Sequence, residues 1–226
     1  MREILSSQAF GIMLTLLFYL FGGWLYKKTK FPFFSPLLVA TLLLMGYILI
    51  ADINMASFLT DLSGIHLFLG PLIVSLAVPI VKQFELIKKN ILPIVIGSIV
   101  GAVTSIISVY VLGNWFNIDQ EILYSLIPKA STTPIAIEVS EQIGGIRAIT
   151  VAVVVMTAVI GAVIVPILVK IFRIKDPRII GMGLGTTSQA VGTAKALEID
   201  ATAGAISGVA LVFTGIATAI IALFIH

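Results

Sequence analysis

Pro128-Lys129-Ala130-Ser131-Thr132-Thr133-Pro134 and Gly183-Leu184-Gly185-Thr186-Thr187-Ser188-Gln189 are the two stretches that decide how this chain is read. Each is a hydroxyl-rich tract inside apolar sequence. A short helix-like run with polar groups follows each: Glu138, Ser140 and Glu141 after the first, Thr193, Lys195 and Glu198 after the second. Lipid offers no water to a freed backbone group, so such interruptions are tolerated only where protein or a polar cavity replaces the lipid. The pattern predicts two broken helices whose breaks meet at a small-anion site.

The surroundings of the tracts set their solvent. Of 226 residues, 59% are hydrophobic and 11% charged, with mean hydropathy +1.14, against about 25% charged in soluble domains. This is the composition of an all-α integral membrane protein. At about 20 residues per crossing there is room for roughly six to eight spans in one membrane domain. The net charge of +3 comes from basic residues at the ends of apolar runs, without an interleaved aromatic surface. They read as topology signals and exclude a nucleic-acid interface. The absence of Cys rules out disulfides and thiolate metal sites.

Hydropathy predicts spans at Ala9 to Tyr26, Phe33 to Ala51, Leu62 to Val81, Ile91 to Leu112, Ile149 to Phe172 and Ala201 to Ile225. The first carries its charge after the apolar run, opposite to a cleaved signal peptide, and reads as a retained helix. Lys27, Lys28 and Lys30 follow the first span, Lys82, Lys88 and Lys89 the third, and Lys170, Arg173, Lys175 and Arg178 the fifth. The positive-inside rule makes these loops cytoplasmic, and the loops with Asp52, Asp61, Asp119 and Glu121 external. The N-terminus is then outside. Residues 119–145 and 176–200 must each leave by the face they entered, as re-entrant hairpins. The rival reading, eight full crossings, would put Lys170 to Arg178 outside.

An internal repeat supports the hairpins. Ser140 to Ile164 lies over Leu197 to Ile221 without a gap, matching Glu141 with Glu198, Thr157 with Thr214 and Ala162 with Ala219. A three-residue shift then matches Thr132-Thr133 with Thr186-Thr187. Units of hairpin plus crossing have opposite orientation, and inverted repeats with midplane breaks mark transporters. The expected division is a scaffold over residues 1–118 and a two-hairpin transport region over 119–226.

Thr133-Pro134 is the sharpest local signal, with Thr as N-cap and Pro at the first helical position. The free N–H groups and dipole of that helix would stabilise a carboxylate. Ser131, Thr132, Thr133 and Pro134 form the first expected tip; Thr186, Thr187, Ser188 and Gln189, with Thr193, form the second. The bland alternatives are hydroxyls that satisfy backbone groups freed by proline, and glycines that allow tight packing. Gly97, Gly101, Gly204 and Gly208 are read as packing residues. Lys129, Glu138 and Lys195 are the coupling or charge-neutralising candidates, since intramembrane charge is costly. Glu138 has a second reading as a partner for Lys129, and Lys195 as a partner for Glu198. Glu141, Arg147 and Glu198 lie near hairpin ends and read as solvated. His66 and His226 are uninformative. No metal-ligand spacing, cofactor motif or nucleophile-base pair is present, so no enzyme is expected.

Leu126 to Ile137, with Ile143-Gly144-Gly145-Ile146, Gly183-Leu184-Gly185-Thr186 and Gly192-Thr193-Ala194, resembles the LrgB/CidB family, and the likeness covers nearly the whole chain. Some members are antiholin-like or holin-associated modulators of murein hydrolase activity and lysis. Others, plastid relatives included, are regarded as carriers of glycolate, glycerate or pyruvate. The resemblance also implies a small LrgA/CidA-like membrane partner. Its pattern has His where this chain has Gln189, which cannot titrate. The expectation is a secondary transporter of small monocarboxylates in the bacterial cytoplasmic membrane, working by alternating access at two facing tips. The alternative is a lysis regulator. A homodimer follows only from the habit of membrane transporters.

Overall fold

A computed structural model of the chain describes residues 8–29, 34, 36–51 and 69–225. Phe33 and Leu62, where the second and third predicted spans begin, lie outside the described residues, as do Lys30, Asp52, Asp61, His66 and His226. Among the described residues there is no strand. The chain divides into two compact units, Met1–Ser75 and Leu76–His226.

The first unit holds α1 (Gln8–Thr29) and α2 (Pro36–Ile50), which pack on each other. Gly22 makes this close: a Cβ there would stand 2.9 Å from Pro36 Cα and 3.0 Å from Val39 Cβ. Helix α3 (Leu69–Lys82) runs across the boundary into the second unit. There follow α4 (Phe84–Lys89), α5 (Ile91–Trp115), α6 (Gln120–Leu126), a 3-10 turn (Ile127–Ala130), α7 (Thr133–Gln142), α8 (Arg147–Ile171), α9 (Pro177–Ile199) and α10 (Ala201–Ala222).

Among the described residues, four helices are long and apolar enough to cross a membrane: α1, α5, α8 and α10. Six crossings were expected. The described parts of the other two, α2 and α3, have 15 and 14 residues. At 1.5 Å per residue these cover about 22 Å, short of a hydrocarbon core about 30 Å thick. The protein is an all-α membrane protein, and its apolar exterior fits that solvent: Leu92, Val100, Met156 and Ile220 are all exposed.

The 177–199 stretch is two helical arms that meet at Gln189. Gln189 has φ 53 and ψ −136, a conformation that glycine normally supplies in a II′-type turn. The chain reverses there. A Cβ on Gly192 would strike the Leu184 carbonyl, which no straight helix permits. Gly181 and Gly185 press on the backbone of Ala203 and Ser207 in α10, while Leu197 meets Gly204 and Thr193 bonds to Ser207. The 177–188 arm therefore runs parallel to α10 and the 190–199 arm antiparallel to it. Glycine at 181, 185 and 192 is what lets three helical segments approach this closely.

The first broken helix folds the same way. Ser131 and Thr132 are extended, with ψ 166 and ψ 149, and α7 then returns along α6 and the 3-10 turn. At the base, Ile146 N donates to Ser125 Oγ at 2.6 Å and Thr150 Oγ1 to Ser140 Oγ at 2.6 Å. The N-cap of α7 is Thr132, one residue before the expected Thr133, because Thr133 already has helical geometry. Thr132 makes no side-chain cap bond.

The two units of hairpin plus crossing helix are inverted copies. Helix α8 starts at the base of the first hairpin and ends beside Ile180 and Leu184 of the second, while α10 starts at the base of the second and ends beside Leu123 and Ile127 of the first. The breaks Ser131-Thr132 and Ser188-Gln189 fall at the same 57-residue offset as Ser140 and Leu197. The three-residue shift expected from the threonine pairs is thus not needed. Thr186-Thr187 precedes its break whereas Thr132-Thr133 straddles its own, so matching hydroxyls by type misaligned the tips.

Candidate functional site

The two breaks meet. Gln189 Nε2 donates to the Lys129 carbonyl at 3.1 Å, joining the tips. Each tip also rests on the crossing helix of the other unit. Ser131 Oγ lies 3.5 Å from where a Cβ on Gly215 of α10 would be, and Ser188 Oγ crowds the same position on Gly161 of α8. Gly101 of α5 faces Thr186: a Cβ on Gly101 would stand 3.2 Å from Thr186 Cβ. Gly101, Gly161 and Gly215 all sit near the middles of their helices. The tips therefore meet halfway along three spanning-length helices.

Hydrogen bonding separates the hydroxyls into two kinds. Thr186 Oγ1 donates to Met182 O at 2.9 Å, Thr187 Oγ1 to Gly183 O at 2.6 Å and Thr193 Oγ1 to Gln189 O at 3.0 Å. Their protons are thus spent on carbonyls of their own hairpin. Ser188 Oγ shares a 3.1 Å bond with Thr187 Oγ1. For the second tip the bland reading holds for much of the hydroxyl run. Ser131 differs: it is 0% exposed and its Oγ has no partner. It stands at the N-terminus of α7, where helix N–H groups and the dipole favour an anion.

Lys129 is half-buried on the first tip and has no ion-pair partner among the described residues. The expected Glu138–Lys129 pair does not form, because Glu138 is exposed on α7. Lys195 pairs with Glu198 at 2.7 Å, one turn apart near the solvent end of the 190–199 arm. This takes Lys195 away from the tips and follows the second reading of that residue. Glu141 pairs with Arg147 at 3.3 Å on exposed surface, as hairpin-end residues should. Thr133 and Pro134 begin α7 beside the break.

At the end carrying Lys170 to Arg178, Asp176 caps α9 by accepting from Arg178 N at 2.9 Å. The bound Arg178 guanidinium holds the Asp176 carboxyl below the usual carboxylate range. Arg178 also reaches Asn90 Oδ1 at 3.2 Å, tying α9 to the start of α5. A cleft of about 540 Å³ lined by Lys82, Gln83, Lys89 and Asn90 opens at this end and contains none of the tip residues.

Sequence reasoning passed over Thr218 and Ser105. Thr218 is 1% exposed, and the hydroxyls of both are buried without partners. Each is one of four serine or threonine residues spread along an apolar helix and gives no motif.

Residues 15–226 match the model described as the LrgB-like family. The Bacillus subtilis (strain 168) protein YwbG is 35% identical over 214 residues, 92% of this chain and 92% of that protein. The antiholin-like protein LrgB of the same organism is 34% identical over 220 residues, 97% of this chain and 95% of its own. The antiholin-like protein LrgB of Bacillus mycoides (strain KBAB4) is 33% identical over 213 residues, covering 94% and 93%. No solved structure matches.

Proposed function

The chain belongs to the LrgB-like family, and on that premise we propose that it is a secondary transporter of small monocarboxylates of the pyruvate, glycolate and glycerate type. The observation that carries this reading is the meeting of two helix breaks midway along the spanning helices, with an unpaired lysine and an unpartnered buried serine at the contact. A protein that only docks partners has little reason to break two helices there. The carboxylate would lie against Ser131 and the N-terminus of α7, neutralised by Lys129. Thr132, Thr133 and Pro134 shape that helix start, Gln189 holds the facing tip, and Thr186, Thr187, Ser188 and Thr193 brace it. Access would alternate as the hairpin-bearing elements move within a bacterial cytoplasmic membrane, with a small LrgA/CidA-like membrane protein as partner.

In this reading the hairpins are re-entrant, with the basic loops cytoplasmic and the N-terminus outside. The Cys-free chain allows a direct test. Gly145 is a poor labelling site, since a side chain there would strike Ser140 Oγ. The exposed residues Asp119 and Gln142 replace it, with Lys175 and Glu198 for the second hairpin. Cysteines at the first pair are expected to react with an impermeant maleimide from outside the cell, and those at the second pair only after permeabilisation. Reaction of either pair from opposite faces would sink the re-entrant topology.

The relatives named antiholin-like protein LrgB favour a second reading, that this chain is an antiholin-like regulator of lysis. Purified protein in liposomes, with and without an LrgA-like partner, distinguishes the two. Transport predicts saturable uptake of labelled pyruvate, glycolate or glycerate. No uptake in either condition, together with an altered autolysis rate in cells, would transfer the assignment to the lysis regulator.

A further inference from the structure

Among the described residues, two of the buried serine and threonine side chains lack a hydrogen-bond partner: Ser131 and Thr218. Ser98, Ser125, Ser140, Thr150, Thr186, Ser188, Thr193, Ser207 and Thr214 are all satisfied. The partly buried Ser105 adds a third buried, unpartnered hydroxyl oxygen. A buried hydroxyl left unpaired is costly, and native proteins hold few of them. Their placement is not scattered.

Ser98 Oγ donates to the Ala210 carbonyl at 3.2 Å, which fixes the register between α5 and α10. Gly97 and Gly101 of α5 face Met182 and Thr186, while Gly181 and Gly185 of the same arm face Ala203 and Ser207 of α10, so α5 and α10 run parallel. Carrying that register forward brings Ser105 level with Ala217, beside Thr218. Ser131 faces α10 at Gly215, less than one turn away, and Ile127 of the same tip shares a buried cluster with Ile106, next to Ser105. Helix α5, the first tip and α10 therefore each bring one unpaired hydroxyl to one level. Gln189 and Lys129 meet just beside it.

We propose that Ser105 and Thr218, beside the Ser131 that the carboxylate meets, form a second polar subsite that receives an oxygen on the 2-carbon of the transported acid. This rests on the transport reading and refines it. A hydroxyl both donates and accepts, so the set accommodates a 2-hydroxy or a 2-oxo group alike. A methyl group in the same place would leave the hydroxyls unpaired. Sites built to hydrogen-bond a ligand oxygen discriminate strongly against the analogue lacking it, whereas sites built to fill volume do so weakly.

Glycolate and acetate differ only by that hydroxyl. In proteoliposomes of the full chain, wild type is expected to favour glycolate over acetate by about 100-fold in kcat/KM. Thr218→Val keeps the shape and removes the hydroxyl, and should lower the ratio about tenfold or more. Ser105→Ala, a smaller change on a different helix, should lower it in the same direction if Thr218→Val does not reconstitute. A ratio near one in wild type, or an unchanged ratio in a variant that transports, overturns the subsite. Absence of uptake of either acid by wild type overturns the transport reading itself, and the subsite with it.

Discussion

Lys129→Gln is expected to lower the initial rate of carboxylate uptake at least about 30-fold while leaving the protein in the membrane. Removing one member of a desolvated charge pair costs about 2–5 kcal/mol, and each 1.4 kcal/mol is a factor of ten. The lysine is half-buried at the tip and lacks an ion-pair partner among the described residues, so an arriving carboxylate is its natural counter-charge. Glutamine keeps the length and a donor but gives up the charge. Lys129→Arg should retain a measurable rate, because the charge remains and only its reach and shape change. The check is uptake in proteoliposomes, paired with size-exclusion profiles of the detergent-extracted variants. A Lys129→Gln protein that is monodisperse and transports at the normal rate would refute this role.

The second large effect is on the fold. Gly185→Ala places a methyl group against the Ser207 carbonyl, with Ser207 Cα 2.9 Å away. Backbone cannot swing aside as a side chain does. The cost should therefore reach the upper part of the overpacking range, about 3 kcal/mol, and separate the second hairpin from α10. Loss of most monodisperse protein after extraction, or a fall in Tm well beyond that of a control, is the expected result. Gly46→Ala is the control: a Cβ there has nothing within 4 Å, and alanine is the better helix former by about 1 kcal/mol. Equal behaviour of the two variants would show that the hairpin–α10 contact yields more easily than its geometry implies.

Much of this architecture was legible because lipid makes irregular backbone conspicuous. Pro128, Pro134, Gly183 and Gly185 stand out in sequence that otherwise reads as uninterrupted span, and the repeat of Ser140 to Ile164 over Leu197 to Ile221 pairs the two stretches. The two hairpins and their inverted relation follow from that. The finer chemistry was hidden for reasons that are equally physical. A threonine in a helix can donate to a carbonyl four residues back, and Thr186 and Thr187 do so. A run of hydroxyls therefore reads as a binding tract even where its protons are already engaged. Thr218 and Ser105 show the converse: their significance lies in what is missing around them, which no pattern of residue types records. Glu138 looked like a partner for Lys129 at short sequence separation, but α7 turns it outward.

The bond between Gln189 and the Lys129 carbonyl has a consequence for how long the tips stay together. A neutral hydrogen bond contributes only about 0.5–1.5 kcal/mol net. On its own it biases joined over parted tips by no more than about tenfold. A latch that weak releases on thermal fluctuation alone, without hydrolysis or a titrating group. The strained backbone at Gln189, φ 53 and ψ −136, costs about 1–3 kcal/mol, comparable to what the latch contributes. Making or breaking this one bond is therefore nearly free, and in the proposed transport cycle a single small anion would suffice to displace it.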